Sequence, residues 1–145
     1  MYTHVLIATD GSKLAHKAIR AGLSLAKRLD AKATAVFVSE PWAAARTCHG
    51  AAAVPFDAFE QAAGGLARDV LSEVDDAAKD LGVSCATVHI KDLTAAEGIM
   101  HAAKVRGCDL IVVASHGRRG VDRLLLGSHA NRVLTQSVVP VLVCK

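Results

Sequence analysis

The stretch LIVVASHGRRGVDRLLLGS, residues 110–128, decides the fold of this chain. Its first five residues form a short apolar run, which is typical of a parallel strand buried on both faces. In the loop that follows, Gly117 and Gly120 are expected to adopt positive φ and to turn backbone N–H groups toward one point. Gly127 and Ser128 then precede a predicted helix at 129–135, whose free N–H groups and dipole would converge on the same anion. The stretch therefore predicts a phosphate site, and two ordinary glycine turns with a capped helix are the alternative.

Four more apolar runs predict strands, and the segments between the runs mostly predict helices. The strands are expected at 4–8, 33–38, 83–90, 110–114 and 141–144, and the helices at 13–29, 57–81, 94–105 and 129–135. This alternation predicts a single α/β domain with a parallel sheet, right-handed crossovers and helices on both faces. Ligands bind such sheets where the strand order reverses. If the first and fourth strands meet there, the turn at 9–12 and the loop at 114–117 face each other across one crevice.

The composition excludes several classes of function. Aromatic residues make up only 3% of 145 residues and the net charge is +3, which argues against a base-stacking or nucleic-acid-binding surface. Asp10 and Lys13 interrupt the opening apolar run, so no signal peptide is predicted, and no run is long enough to span a membrane. The four cysteines show no C-x-x-C spacing, which favours a reduced, cytoplasmic protein.

The segment at about 40–56 does not follow the strand-and-helix alternation. It reads EPWAAARTCHGAAAVPF, has no clear period and is longer than most connections. Two interpretations are equally open, a lid over the site and a surface insertion with a short helical turn.

Few side chains have the surroundings that catalysis or metal binding requires. Asp10 ends the first strand, where its carboxylate would either cap the next helix or bind a ligand. His116 has no partner in its motif for nucleophilic catalysis, and the Cys48–His49 pair matches no zinc pattern. Arg118 would neutralise phosphate charge, with simple solvation as the alternative. The phosphate loop G-x-x-x-x-G-K-[ST] and the dinucleotide motif G-x-G-x-x-G after the first strand are both absent. We therefore predict no catalytic residue and no protein-held metal.

Three segments together resemble the universal stress protein family. They are VLIATDGS at 5–12, VVASHGRRGVDRLLLGS at 112–128 and VPVLVC at 139–144, and the similarity extends over essentially the whole chain. The resemblance implies a Rossmann-like, open five-stranded parallel sheet in the order 3-2-1-4-5. It also implies a homodimer, which we expect to form through the edge strand Val141–Cys144.

The resemblance further implies a binding site for ATP or another adenine nucleotide, with or without Mg²⁺. The family pattern G-x-x-G, nine residues, then G-[ST] falls on Ala114, Gly117, Gly127 and Ser128, with alanine in place of the first glycine. Alanine adds one methyl group and should be tolerated if its φ is negative. The residues implied to hold the phosphates or line their turn are Ala114, Ser115, His116, Gly117, Arg118, Gly127, Ser128 and His129. Those implied to hold adenine and ribose are Ala8, Thr9, Asp10 and Val38.

Three functions follow from these expectations. The first is a stress-response or signalling module in which adenine-nucleotide occupancy changes partner binding. The second is a slow ATPase, for which Asp10, Ser128 and Asp122 are the available side chains. The third is a nucleotide-free family member that acts through protein contacts alone.

Overall fold

The computed structural model describes residues 1–49, 54–118 and 125–145, which hold five strands and five helices. In chain order the elements are β1 (His4–Ala8), α1 (Lys13–Leu29), β2 (Lys32–Ser39), α2 (Trp42–His49), α3 (Phe56–Leu81), β3 (Cys85–Lys91), α4 (Ala95–Arg106), β4 (Leu110–Ala114), α5 (Ser128–Gln136) and β5 (Val141–Cys144). Gly120, Asp122 and part of the 40–56 segment lie outside the described residues.

The strands form one parallel sheet in the order β3-β2-β1-β4-β5, as the sequence predicts. Strand β1 lies at the centre, where Ala8 pairs with Val36 of β2 and Ile7 pairs with Val112 of β4. The chain runs outward from β1 to β3 and then crosses back to β4. The strand order therefore reverses between β1 and β4, and the crevice expected at the carboxyl ends of these strands is present.

Alternate residues of the strands point into two cores on opposite faces of the sheet. Val5 and Ile7 of β1 pack with α1 and α3, whereas Leu6 packs with α4 and α5. All three side chains are fully buried, and each burial stabilises the fold by about 1.5–3 kcal/mol. The continuous apolar runs that predicted the strands are thus a consequence of helices covering both faces.

The helix ends follow from local hydrogen bonding. Ser12 caps α1 by accepting the Ala15 N–H at 3.2 Å, and Thr94 and Glu97 form a reciprocal capping box at the start of α4. The hydrogen bonds from Thr94 lower the pKa of the Glu97 carboxyl. Strand β3 begins two residues later than predicted because the Val83 N–H is still bound to the Ala78 carbonyl at the end of α3.

Helix α2 is an element that the sequence did not predict as such. It occupies 42–49 within the segment that lacks a clear period. Within the described ranges, no helix combines the length and the apolar character needed to cross a membrane.

Candidate functional site

A cavity of about 690 Å³ opens at the carboxyl ends of β1, β2 and β4, next to the strand-order reversal. Its volume is within the range of small-molecule binding sites. Eleven of the twelve sequence-predicted site residues line it: Ala8, Thr9, Asp10, Val38, Ala114, His116, Gly117, Arg118, Gly127, Ser128 and His129. The twelfth, Ser115, is the first residue after β4 and lines a second cavity instead of this one.

Asp10 joins the two loops that meet at the reversal. One carboxylate oxygen accepts the Ser12 N–H at 2.9 Å, and the other accepts the Arg118 N–H at 2.8 Å. The Thr9 hydroxyl supports the same turn by accepting the Gly11 N–H at 3.2 Å. The alternative that Asp10 caps α1 is wrong, because the N-cap is Ser12. Asp10 instead fixes the loop after β4 against the end of β1.

Position 117 favours glycine through a close contact with a side chain and not through its backbone angle. The prediction of positive φ is wrong for Gly117, whose φ lies outside the left-handed region. A Cβ at this position would lie 2.8 Å from Oδ2 of Asp10. A side chain here would therefore disturb the oxygen that accepts the Arg118 N–H.

The start of α5 rests directly on the loop after β4. Gly127 is the N-cap of α5, and its N–H donates to the Ser115 carbonyl at 2.8 Å. A Cβ on Gly127 would lie 3.0 Å from the same carbonyl oxygen. With no side-chain cap, the N–H groups of Ser128, His129 and Ala130 begin the helix without an intrahelical acceptor. They form the positive end of the α5 dipole at the cavity wall.

Ala114 fits the end of β4 without strain. It pairs with Cys144 of β5, and its φ is not positive. Its methyl group packs against the core on the α1 side of the sheet. The alanine in place of the first glycine of the pattern therefore leaves the strand and the loop intact.

Charged side chains of both signs line the cavity. Glu40, just after β2, lies with Oε1 at 3.3 Å from Nε2 of His129 on α5. Asp10 and Arg118 also line the wall. The Glu40–His129 pair joins the β2 side of the cavity to the α5 side. The sequence did not identify Glu40, because its contact with His129 depends on the tertiary fold.

The opposite part of the cavity wall is apolar. Phe59 and Leu66 of α3 and Ile99 of α4 join Val38 there. The sequence did not predict that these helical residues line the site. The position of Phe59 could have indicated its place in the cavity wall. Phe59 lies in the first turn of α3, and the first turns of crossover helices lie above the carboxyl ends of the strands.

Partly buried polar groups near the β2 end are held by hydrogen bonds. The Ser39 hydroxyl lies 2.6 Å from Nε2 of His89, and Phe37 packs edge-on against the His89 ring at 5.7 Å between centroids. Burial lowers the pKa of His89, and the charge of Lys91 adds to the shift. His89 is therefore held as the neutral ring at pH 7.

The segment proposed as a lid contacts the cavity through α2. Ala45 of α2 lines the cavity wall. Trp42 donates its indole N–H to the Val54 carbonyl at 2.9 Å and packs edge-on against Phe56 at 5.9 Å. These contacts join α2 to the start of α3, and a lid role stays a prediction.

The described part of the chain contains no group of three or more His, Cys, Asp or Glu side chains close enough to hold a metal ion. Asp10 and Ser128 line the cavity as potential oxygen ligands, whereas Asp122 lies outside the described residues.

Comparison with known proteins gives a consistent result along the whole chain. A model of the universal stress protein family matches residues 1–145. Universal stress protein MJ0531 of Methanocaldococcus jannaschii is 30% identical over 147 residues, covering 100% of this chain and 83% of that protein. Universal stress protein YxiE of Bacillus subtilis is 30% identical over 149 residues, covering 100% of this chain and 100% of that protein.

Solved structures share the fold. The structure of hypothetical protein MJ0577 superposes with a TM-score of 0.83 at 22% identity, covering 100% of this chain and 96% of that one. A universal stress protein in complex with cAMP gives 0.73 at 24% identity, with 99% and 97% covered. The universal stress protein from Archaeoglobus fulgidus in complex with dAMP gives 0.71 at 16% identity, with 99% and 98% covered.

Proposed function

This chain belongs to the universal stress protein family, and on that basis we propose that it binds an adenine nucleotide, ATP in the first place, in the cavity at the strand-order reversal. The observation that carries the proposal is the juxtaposition of the uncapped α5 N-terminus with the Asp10-tied loop. Backbone N–H groups and a helix dipole are a general means of binding phosphate.

The phosphates lie at the β4 side of the cavity. The N–H groups of Ser128, His129 and Ala130 and the Ser128 hydroxyl donate to them, and Arg118 adds positive charge. Gly127 permits this arrangement because a side chain there would separate α5 from the loop. Ser115 supports the site indirectly, because its carbonyl accepts the Gly127 N–H and so holds α5 against the loop after β4.

The ribose and the base lie toward β2. Neighbouring strands are about 4.8 Å apart, so the ends of β2, β1 and β4 span about 10 Å, a length suited to a base, a sugar and a phosphate in turn. Asp10 at the central strand faces the ribose hydroxyls, and Ala8 and Thr9 complete that wall. The base occupies the apolar part between Val38 and Ile99.

Similar proteins support the class of ligand. Family structures of the same fold were solved with cAMP and with dAMP, which are both adenine nucleotides. The proposal that the preferred adenine nucleotide is the triphosphate rests on the pattern of Gly117, Gly127 and Ser128. Mg²⁺ is proposed only as a companion of the phosphates.

We favour binding over hydrolysis as the function of this site. Both oxygens of Asp10 already accept backbone N–H groups, so this carboxylate is poorly placed to activate water. Nucleotide occupancy instead acts on the loop after β4, and through it on partner proteins in a stress response. A cytoplasmic location stays a prediction from the cysteine pattern.

We also propose a homodimer through the edge strand β5. It pairs with β4 on one side, and its other edge offers unpaired backbone groups. Leu142 on this strand is 40% exposed and Val138 just before it is 97% exposed. Light scattering at micromolar concentration should give twice the mass of one chain, and a monomer mass would refute the dimer.

Calorimetric titration tests the nucleotide proposal. The protein is unfolded, freed of any nucleotide, refolded and titrated with ATP, ADP, AMP and cAMP. Saturable binding with about one nucleotide per chain is expected, and it should be lost in Gly127→Glu, whose side chain would separate α5 from the loop after β4.

The matched control is Gly64→Glu, because a Cβ on Gly64 in α3 meets no atom within 4 Å and the residue is outside the cavity wall. It should bind like the parent protein. Absence of binding heat at millimolar concentrations of all four nucleotides would refute the proposal and favour the nucleotide-free alternative.

A further inference from the structure

A second cavity, of about 930 Å³, shares the loop after β4 with the proposed nucleotide site and is otherwise lined by residues that this site does not use. Lys13, Leu14 and Lys17 of α1 form one wall. Leu134 of α5, Lys145 after β5 and Arg118 of the loop after β4 also line the cavity. We call these six residues the basic groove.

Two sources of positive potential coincide in the basic groove. The four cationic side chains line it, and none of them forms an ion pair with an acid within the described ranges. The first turn of α1 contributes the positive end of its dipole. No Asp or Glu of the described residues lines the cavity. The groove is therefore suited to an anionic ligand.

One of these lysines, Lys13, lies where it weakens its own helix. An acidic residue is favoured in the first turn of a helix, but the first turn of α1 has none and begins with Lys13. Lys17 follows one turn later on the exposed side. Natural chains depart from local preferences of this kind mainly at functional positions. The departure is a second indication that the lysines serve an interaction.

Part of the lining of the groove is aliphatic. Leu14, Leu134 and Val143 line it, and Leu134 is 46% exposed. The cavity is lined by no Phe, Tyr or Trp among the described residues. Single-stranded nucleic acids gain much of their affinity by stacking bases on aromatic rings, so they would use this wall poorly. Inorganic phosphate or polyphosphate would leave the aliphatic side chains uncovered.

We propose that the basic groove is a docking site for an acidic segment of a partner protein, in which aliphatic side chains alternate with carboxylates. The carboxylates pair with Lys13, Lys17 and Lys145, and the aliphatic side chains cover Leu14 and Leu134. Complementary charge supplies fast association and selectivity, and burial of the aliphatic wall supplies the affinity.

The groove and the nucleotide cavity share one structural element. His116, Gly117 and Arg118 line both cavities. A change in the conformation of this loop would therefore alter partner binding in the groove. The docking proposal itself does not depend on a bound nucleotide. It is tested on nucleotide-free protein, so that failure of one proposal leaves the other to be judged separately.

The first experiment selects ligands without choosing a sequence in advance. A random library of peptides about twelve residues long is selected on the full chain, and the same library is selected on the triple variant Lys13→Glu, Lys17→Glu, Lys145→Glu. Peptides rich in Asp or Glu together with Leu, Ile or Val should be enriched on the parent protein and not on the variant. No enrichment, or enrichment of basic or aromatic peptides, would overturn the proposal.

The second experiment measures affinity by fluorescence anisotropy with the most enriched peptide. Lys13→Glu with Lys17→Glu should weaken binding at least about tenfold, and raising the salt concentration should weaken it further. Acidic residues are favoured at the start of a helix, so these substitutions should leave α1 folded, which circular dichroism checks. The matched control is Lys27→Glu with Arg28→Glu, on the same helix but about 15 Å from Lys17.

The control pair should change the affinity by less than about twofold. An equal loss of affinity in the control pair would show a general effect of charge and would overturn the assignment of peptide binding to the basic groove. Stronger binding of tripolyphosphate or single-stranded DNA than of the peptide, measured by competition, would overturn the protein-partner assignment. Conversion of a dimer to monomers by the peptide would assign the groove to a second copy of this chain and would also overturn it.

Discussion

Replacement of Gly127 by alanine is the most informative single change for the architecture of the site. The added Cβ would lie 3.0 Å from the Ser115 carbonyl oxygen and 3.3 Å from Cα of His116. Both are backbone atoms, so neither can move aside as a flexible side chain would. The same carbonyl accepts the Gly127 N–H at 2.8 Å, and relief of the contact must lengthen that hydrogen bond.

Three effects determine the expected magnitude. The φ of Gly127 is −58°, which alanine adopts, so the smaller entropy of the unfolded chain favours the variant by about 0.4–1 kcal/mol. Overpacking against rigid atoms costs about 1–3 kcal/mol. Weakening of the hydrogen bond costs about 0.5–1.5 kcal/mol more. Together these three ranges lower the free energy of unfolding by about 0.5–4 kcal/mol. The midpoint of about 2 kcal/mol lowers Tm by about 4–8 °C.

Urea denaturation followed by circular dichroism measures this loss, and Gly64→Ala provides the matched control. Gly64 lies inside α3, where a Cβ meets no atom within 4 Å. Alanine in a helix interior is better than glycine by about 0.5–1 kcal/mol, so the control should be stabilised. Equal effects in the two variants, or an unfolding free energy unchanged by Gly127→Ala, would refute the argument that close approach of α5 requires this glycine.

Three other predictions concern single groups. Asp10→Ala removes the acceptor for the Arg118 N–H and should lower the free energy of unfolding by about 1–3 kcal/mol in urea denaturation, whereas Asp10→Asn keeps an amide oxygen and should lose less. Burial lowers the pKa of His4 and of His89 below 6.5, so the unfolded chain binds more protons, and stability should fall as pH drops from about 7 to 5. That fall should be smaller in the double variant His4→Gln, His89→Gln, and an unchanged pH profile would contradict the assignment. Burial also raises the pKa of Cys108 to about 11, so pulse labelling with N-ethylmaleimide followed by peptide mass spectrometry should leave this thiol unmodified in native protein and labelled in urea.

The strands and their order were the most predictable part of this molecule. Strands such as 110–114 are covered by helices on both faces, so every residue of the strand is apolar and the run is visible in the sequence. The order 3-2-1-4-5 came from the family resemblance, and the structure confirms it. The segment at 40–56 was expected to hold at most a short helical turn, and the eight-residue helix α2 was not predicted there because no apolar period marks one face.

The site was predictable where a single loop carries it and not where distant elements meet. Glycine positions indicated the loop after β4 and the start of α5, whereas Ala8, Thr9 and Val38 were implied by the family resemblance. The contact of Gly117 with Asp10, across 107 positions of sequence, could not be read from a local pattern, and positive φ was the wrong reason for that glycine. The Glu40–His129 pair and the wall contributed by Phe59 likewise depend on how the helices cross the sheet.

Amide nuclear magnetic resonance of ¹⁵N-labelled, nucleotide-free protein titrated with ATP and with adenosine tests the central claim most directly. The account predicts saturable shifts of the Ser128, His129 and Ala130 amides with ATP that are absent with adenosine. Both ligands should shift the amides of Val38 and Ile99 at the opposite part of the cavity. Shifts confined to residues outside this cavity, or no saturable shift with ATP, would contradict the account.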